Sequence, residues 1–119
     1  ESIEPTLTEE DGIVLIARQA DFLPDIVKGI AFGLKPKFPN LVFVIGSAVG
    51  GKPALTVMLG DEIVSRGVDA SKVVREAAKE ISGGGGGQPF YATAGGKDVA
   101  GIEKAIFRAV ELIKTQLKR

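Results

Sequence analysis

Leu41-Val42-Phe43-Val44-Ile45 is followed, after Gly46-Ser47-Ala48, by Val49-Gly50-Gly51-Lys52-Pro53 and then Ala54-Leu55-Thr56-Val57-Met58-Leu59. The first run is short, apolar and β-branched, the marks of a buried strand. The last run reads as a second strand, and a short glycine-bearing connection between two strands makes an antiparallel hairpin. This hairpin decides the fold, because the segments on either side must cover it or extend it. Its turn also carries a false signal. Gly46 to Lys52 matches the first seven positions of a phosphate-binding P-loop, G-x-x-x-x-G-K. That motif needs Ser or Thr next, to hold Mg²⁺, and must open a helix. Pro53 stands there and a strand follows, so Lys52 reads as a hairpin-tip lysine.

Outward toward the N-terminus, Ile13-Val14-Leu15-Ile16-Ala17 is another buried-strand signal. Between it and the hairpin, Phe22, Leu23, Ile26, Val27, Ile30 and Leu34 recur at helical spacing. A helix from Phe22 to about Leu34 follows, with Asp21 as N-cap and Pro24 in the first turn. Pro36 and Pro39 end it. Toward the C-terminus, Asp61 to Arg66 has no decisive period, and the adjacent acids Asp61 and Glu62 read as solvated, facing apart if on a strand. Asp69 or Ser71 caps a second helix with Val73, Val74, Ala77 and Ile81 inward and Lys72, Arg75, Glu76, Lys79 and Glu80 outward. Gly83 is expected as its C-cap glycine. Phe90 to Ala94 forms a short strand that Gly95-Gly96 breaks. Asp98 caps a third helix with Val99, Ile102, Ile106, Val110, Ile113 and Leu117 on one face. The expected class is α/β: a small mixed β-sheet with a β-hairpin, flanked by three helices.

The chain has 119 residues and a globular composition, 45% hydrophobic and 25% charged, enough for one modest core. Fifteen basic and fifteen acidic residues cancel. Five of the acids (Glu1, Glu4, Glu9, Glu10, Asp11) lie in the first eleven residues, leaving the body with a surplus of five positive charges. We therefore divide the chain into residues 1–11, an acidic leader or remnant of a preceding element, and a domain over 12–119. A neutral total argues against non-specific coating of nucleic acid, and a positive body is compatible with a phosphate-bearing partner. Cysteine and histidine are both missing, which removes disulfides, thiol nucleophiles, imidazole bases and the usual zinc sites. Ser47, Ser65, Ser71 and Ser82 have no histidine partner, and no nucleophile elbow surrounds them. No apolar run reaches membrane-spanning length. The expectation is a non-catalytic chain with no membrane partner and no bound metal or cofactor.

The most unusual stretch is Gly83 to Gly87, followed by Gln88-Pro89-Phe90-Tyr91-Ala92-Thr93-Ala94-Gly95-Gly96. Five consecutive glycines lose more backbone entropy on folding than any other pentapeptide, so their order needs a reason. A linker would strand an incomplete fragment behind it, so the run is read as a structured, ligand-facing loop. If both glycine segments converge, their bare N–H groups can receive a sugar-phosphate backbone, with Lys97 adding charge. Tyr91 or Phe90 can stack on bases, only one of the two facing outward from a strand. Lys72, Arg75 and Lys79 form one stripe of the second helix. They are either an ordinary solvated face paired with Glu76 and Glu80, or phosphate contacts beside the loop.

Gly-Gly-Gly-Gly-Gly-Gln-Pro-Phe-Tyr-Ala-Thr-Ala-Gly-Gly resembles the G-G-G-R-P-x-x-A-Q-A-G-G signature of the DHH-associated domain family, the C-terminal globular domain of alanyl-tRNA synthetase. Ala31-Phe32-Gly33-Leu34-Lys35, Phe38-Pro39-Asn40 and the helix Ala70 to Lys79 are similar too, so the resemblance runs from about Asp21 onward. Gly85, Gly86, Gly87, Pro89, Ala92, Ala94, Gly95 and Gly96 match by position. Gln88 stands where Arg is usual and Thr93 where Gln is usual; losing Arg removes a bidentate phosphate donor. The resemblance implies a cytoplasmic tRNA-binding module that docks tRNA(Ala), through its elbow, for aminoacylation and editing by other domains of the synthetase. The contact surface expected from the residues themselves is Gly83, Gly84, Gly85, Gly86, Gly87, Gln88, Tyr91, Gly95, Gly96 and Lys97, with Lys72, Arg75 and Lys79 as electrostatic support. ATP, Mg²⁺ and an editing-domain zinc would belong to the rest of such a synthetase, a ligase of protein biosynthesis, and none to this chain. Two alternatives stand beside it: an accessory substrate-binding domain of a DHH phosphoesterase, whose relatives usually carry His where Gln88 stands, and a protein–protein or homo-oligomerisation module.

Overall fold

Residues 41–47 are buried one after another, on both faces of the chain, and so form the middle of a sheet. The computed structural model describes residues 9–10 and 13–117. The central strand is β3 (Leu41–Val49). It pairs in parallel with β2 (Ile13–Gln19) and antiparallel with β4 (Lys52–Leu59). The parallel pair is joined over the sheet by α1 (Pro24–Leu34), the crossover that parallel strands require. The hairpin turns on Gly50 and Gly51 at φ of +61° and +76°, the doubly left-handed turn whose twist matches its strands. Thus Lys52 and Pro53, expected in the turn, already belong to the strand, and no phosphate-binding helix follows Gly46.

Beyond β4 come α2 (Asp61–Ser65), α3 (Ala70–Ala77), β5 (Gly84–Gly87), β6 (Tyr91–Gly95) and α4 (Ile102–Leu117). With β1 (Glu9–Glu10) antiparallel to β2, the six strands lie in the order β1-β2-β3-β4-β6-β5. Apart from Glu9–Glu10, the acidic leader lies outside the described residues. Helices cover both faces. Val27 and Ala31 of α1 pack on Val14, Ile16, Leu41, Phe43, Ile45 and Met58. On the other face α3 and α4 bury Val73, Val74, Ala77, Ile102, Ile106 and Ile113 against Val42, Val44, Leu55 and Val57. Alternate strand residues thus feed two cores, as the two-residue period of a strand dictates.

Several local expectations need correction. Asp21 does not cap α1: the helix starts at Pro24 with Leu23 before it, and no side chain caps it. Leucine at the cap position has no side-chain acceptor, and the Ile26 N–H bonds the Leu23 carbonyl at 2.9 Å instead. The Asp21 carboxylate instead accepts from Gln19 Nε2 and the Ala48 N–H, both at 2.9 Å. Those bonds hold its pKa below the ordinary value, the Gln19 bond first. Asp61 and Glu62 lie in the first turn of α2, and Asp61 pairs with Lys35 at 2.7 Å. Asp69 does cap α3, accepting from the Ser71 N–H at 2.9 Å. Helix α3 continues as a 3-10 turn over Ala78–Ile81, and the left-handed residue that ends it is Ser82, at φ +54°, not Gly83. Asp98 caps a 3-10 turn over Val99–Gly101 that leads into α4, which leaves Val99 exposed rather than inward.

Candidate nucleic-acid interface

Four of the five glycines, expected as a loop, form an edge strand. Gly84 to Gly87 pair with Gly95, Ala94, Thr93 and Ala92 in turn. The two strands close at Gln88 and Tyr91, whose N–H and C=O groups bond each other at 2.8 and 3.3 Å. Hydrogen-bonded and non-bonded pairs alternate along an antiparallel ladder. Counting back from Gln88, Gly86 and Gly84 bond inward, while Gly87 and Gly85 turn their N–H and C=O groups toward the open edge.

Sterics explain every second glycine. A Cβ on Gly83 would lie 1.8 Å from the Gly95 carbonyl oxygen, one on Gly85 2.1 Å from that of Thr93, and one on Gly87 2.6 Å from that of Tyr91. Gly96 is pressed likewise against the Ile81 carbonyl, 2.2 Å from where its Cβ would sit. The two glycine segments do converge. Their N–H groups are partly consumed by that convergence, Gly83 donating to Ala78 O at 3.0 Å and Gly96 to Pro53 O at 3.2 Å. Gly84 and Gly86 have no such constraint. A Cβ on Gly84 would meet nothing within 4 Å, and one on Gly86 would face Ser71 Oγ and the Arg75 guanidinium at 3.6 and 3.7 Å.

Arg75 therefore lies beside the glycine strand, with Lys72 and Lys79 on the same outer stripe of α3; together with Glu76 these line one shallow cleft. Lys79 is partly engaged, its Nζ 2.9 Å from Glu76. The hydrogen bond and charge of Lys79, with a smaller contribution from Arg108, hold the Glu76 carboxyl below the usual carboxylate range. Lys72 and Arg75 make no ion pair among the described residues. The N-terminus of α3 is not open to a phosphate at its first residue, because the Ala70 N–H donates to Pro89 O at 2.9 Å. Lys97 is exposed at the opposite end of the edge, its backbone N–H bound to Ile81 O at 2.8 Å.

The structure separates Tyr91 from this group. Its ring packs 5.1 Å from that of Phe32 of α1, and Phe90 lies 6.4 Å from the same ring, so both half-buried aromatics belong to the α1 side. Burial, then the charge of Asp25, raises the Tyr91 phenol above its ordinary pKa. Tyr91 is the only tyrosine and there is no tryptophan, so alkaline titration of phenolate absorbance reports this residue alone. The folded chain should titrate above the urea-unfolded one. The group's stabilising contribution is present below the unfolded phenol's range and lost as pH rises through the folded value. Coincident folded and unfolded curves would place Tyr91 in water.

Sequence reasoning passed over Phe107, 65% exposed on α4. The available signal was phase: it falls on the polar side of a helix whose Ile102, Ile106 and Ile113 point inward. Among the described residues no group of acids, histidines or cysteines is arranged to hold a metal, and no helix is long and apolar enough to cross a membrane.

The candidate site is thus a glycine edge strand beside the Lys72, Arg75 and Lys79 stripe of α3. The chain belongs to the DHHA1 domain family, whose model matches residues 11–119. It is 48% identical over 113 residues to an alanine–tRNA ligase of Bacteroides thetaiotaomicron, covering 94% of this chain and 13% of that protein. Against the alanine–tRNA ligase of Cytophaga hutchinsonii the identity is 44% over 109 residues, covering 89% and 12%. The chain thus spans about an eighth of the length of these relatives. Among solved structures it is similar to the C-Ala domain from Aquifex aeolicus alanyl-tRNA synthetase, with a TM-score of 0.70 at 29% identity, covering 90% of this chain and 93% of that one.

Proposed function

We propose that this chain is a tRNA-docking module at the C-terminus of a cytoplasmic alanyl-tRNA synthetase, presenting tRNA(Ala) to aminoacylation and editing sites in other domains. The observation that carries the reading is the open edge of β5. Gly85 and Gly87 direct backbone N–H groups outward about 6.8 Å apart, two strand residues, a step similar to that between neighbouring phosphates. Both glycines are exposed, and Lys72 and Arg75 stand beside them without acidic partners among the described residues. Backbone donors and cations of this kind position a sugar-phosphate backbone without reading sequence. The family resemblance supports the tRNA elbow as the contact, and recognition of shape suits such a surface.

The test is a titration against tRNA(Ala) and an unstructured RNA of equal length, at low and physiological salt. Preference for the folded tRNA is expected. Lys97→Ala should weaken binding alike for all sequences and make the salt slope shallower by about one. No binding at low salt would overturn the proposal. A second contact is favoured by Leu23, just before α1, and by Ile26 and Phe32 on it, large apolar side chains left exposed. They suit packing against another domain of the synthetase, on the face opposite α3 and α4.

A further inference from the structure

We infer that Phe107 is a stacking platform for a nucleobase, a second RNA contact on α4 that rests on the RNA-docking reading above. Phe107 lines a surface cleft with Glu80, Glu103, Lys104, Arg108 and Glu111. The cleft adjoins the basic stripe: Glu80 is four residues beyond Glu76 in the same helical segment, and Glu76 feels the charge of Arg108. One continuous face therefore runs from the glycine edge across Arg75 and Lys79 to Phe107. Tyr91, the aromatic that sequence offered for stacking, lies on the other side of the sheet.

The chemistry of the cleft selects the part of the nucleotide it takes. Three carboxylates repel a phosphate, so the phosphates belong to Lys72 and Arg75. An aromatic face accepts any base, and carboxylates accept hydrogen bonds from exocyclic amino groups, as Glu and Asp do from cytosine N4. Lys104 and Arg108, one turn before and one residue after Phe107, offset the acids and reach the flanking backbone. The ligand class is an unpaired, amino-bearing base adjoining a backbone held on the α3 stripe.

The experiment measures tRNA(Ala) affinity and intrinsic fluorescence for Phe107→Ala, Phe107→Trp and, separately, Arg75→Ala. Phe107→Ala should bind about tenfold more weakly, within the range of base–aromatic stacking, with an unchanged thermal midpoint because the ring is exposed. Phe107→Trp should keep or improve affinity, and its fluorescence, unique in a chain without tryptophan, should be quenched by tRNA and more by oligo(C) than oligo(U). Wild-type affinity of Phe107→Ala with an unquenched Phe107→Trp overturns the inference, and a loss confined to Arg75→Ala then leaves the docking reading standing. If no variant changes binding, or tRNA does not bind, both fall. A Phe107-dependent dimer in place of RNA binding would make the cleft a protein interface and overturn the inference as well.

Discussion

Gly85→Ala is expected to lower the stability of the fold by about 3 kcal/mol, the upper part of the usual overpacking range, while Gly84→Ala leaves it near wild type. The two residues are neighbours in one strand with the same chemistry. The added methyl at Gly85 would sit 2.1 Å from the Thr93 carbonyl oxygen and 2.5 Å from the Ala94 Cα, both backbone atoms. Backbone on a paired strand cannot swing aside as a flexible side chain does. The β5–β6 pairing must open, and with it the Pro89 carbonyl that receives the first N–H of α3. At Gly84 the methyl meets open space, and alanine narrows the unfolded ensemble, a stabilising effect of up to about 1 kcal/mol where the native backbone suits alanine. Chemical denaturation of both variants checks this. Equal losses at the two positions would mean that the glycines act through flexibility rather than through alternate close approach.

That alternation explains why the strand was not legible. Glycine is depleted from strands, having no side chain to pack, so five in succession read as a loop. What orders β5 is tertiary: the backbone of β6 on one side and α3 over it. Composition carries no trace of either. Ser82 misleads for the same reason. A left-handed helix end is assigned to the first glycine available, yet here the close approach to Gly95 reserves glycine for the next position. By contrast, the hairpin was readable, because burial on both faces gives its first strand the apolar run Leu41 to Ile45 and Gly50-Gly51 supplies the turn, although both strands extend into the connection, to Val49 and from Lys52.

The candidate site was legible where a helix period governed it. Lys72, Arg75 and Lys79 are placed on one stripe by spacing alone, and the structure keeps them there. The partners of charges were less legible: Glu76 was seen as a possible mate for Lys79, but Asp21 and Asp61 find partners at separations of 27 and 26 residues. Tyr91 falls on the α1 side because a short strand's facing cannot be settled until its neighbour, here Phe32, is in place.

Replacing Lys72 and Arg75 together by alanine should weaken tRNA binding at least tenfold at low salt. The slope of log affinity against log salt should become shallower by roughly 1.4 to 1.8, since each phosphate neutralised contributes about 0.7 to 0.9. Glu76→Gln should move both quantities the other way, because it releases Lys79 from its 2.9 Å ion pair and leaves the stripe with three available cations. Acid should imitate that variant. Glu76 has its carboxyl pKa lowered by Lys79, so the pair is intact above the ordinary carboxylate range. Its contribution to stability is present there and is lost as pH falls through the lowered value. Over the same window protonation frees Lys79, and RNA affinity should rise while stability declines. In Glu76→Gln that acid-linked rise should be smaller. Salt-dependent titrations of the wild type and the two variants, repeated across the acidic window, separate the possibilities. If the double variant retains the wild-type slope, the phosphates are held elsewhere and the glycine edge is left without its electrostatic support.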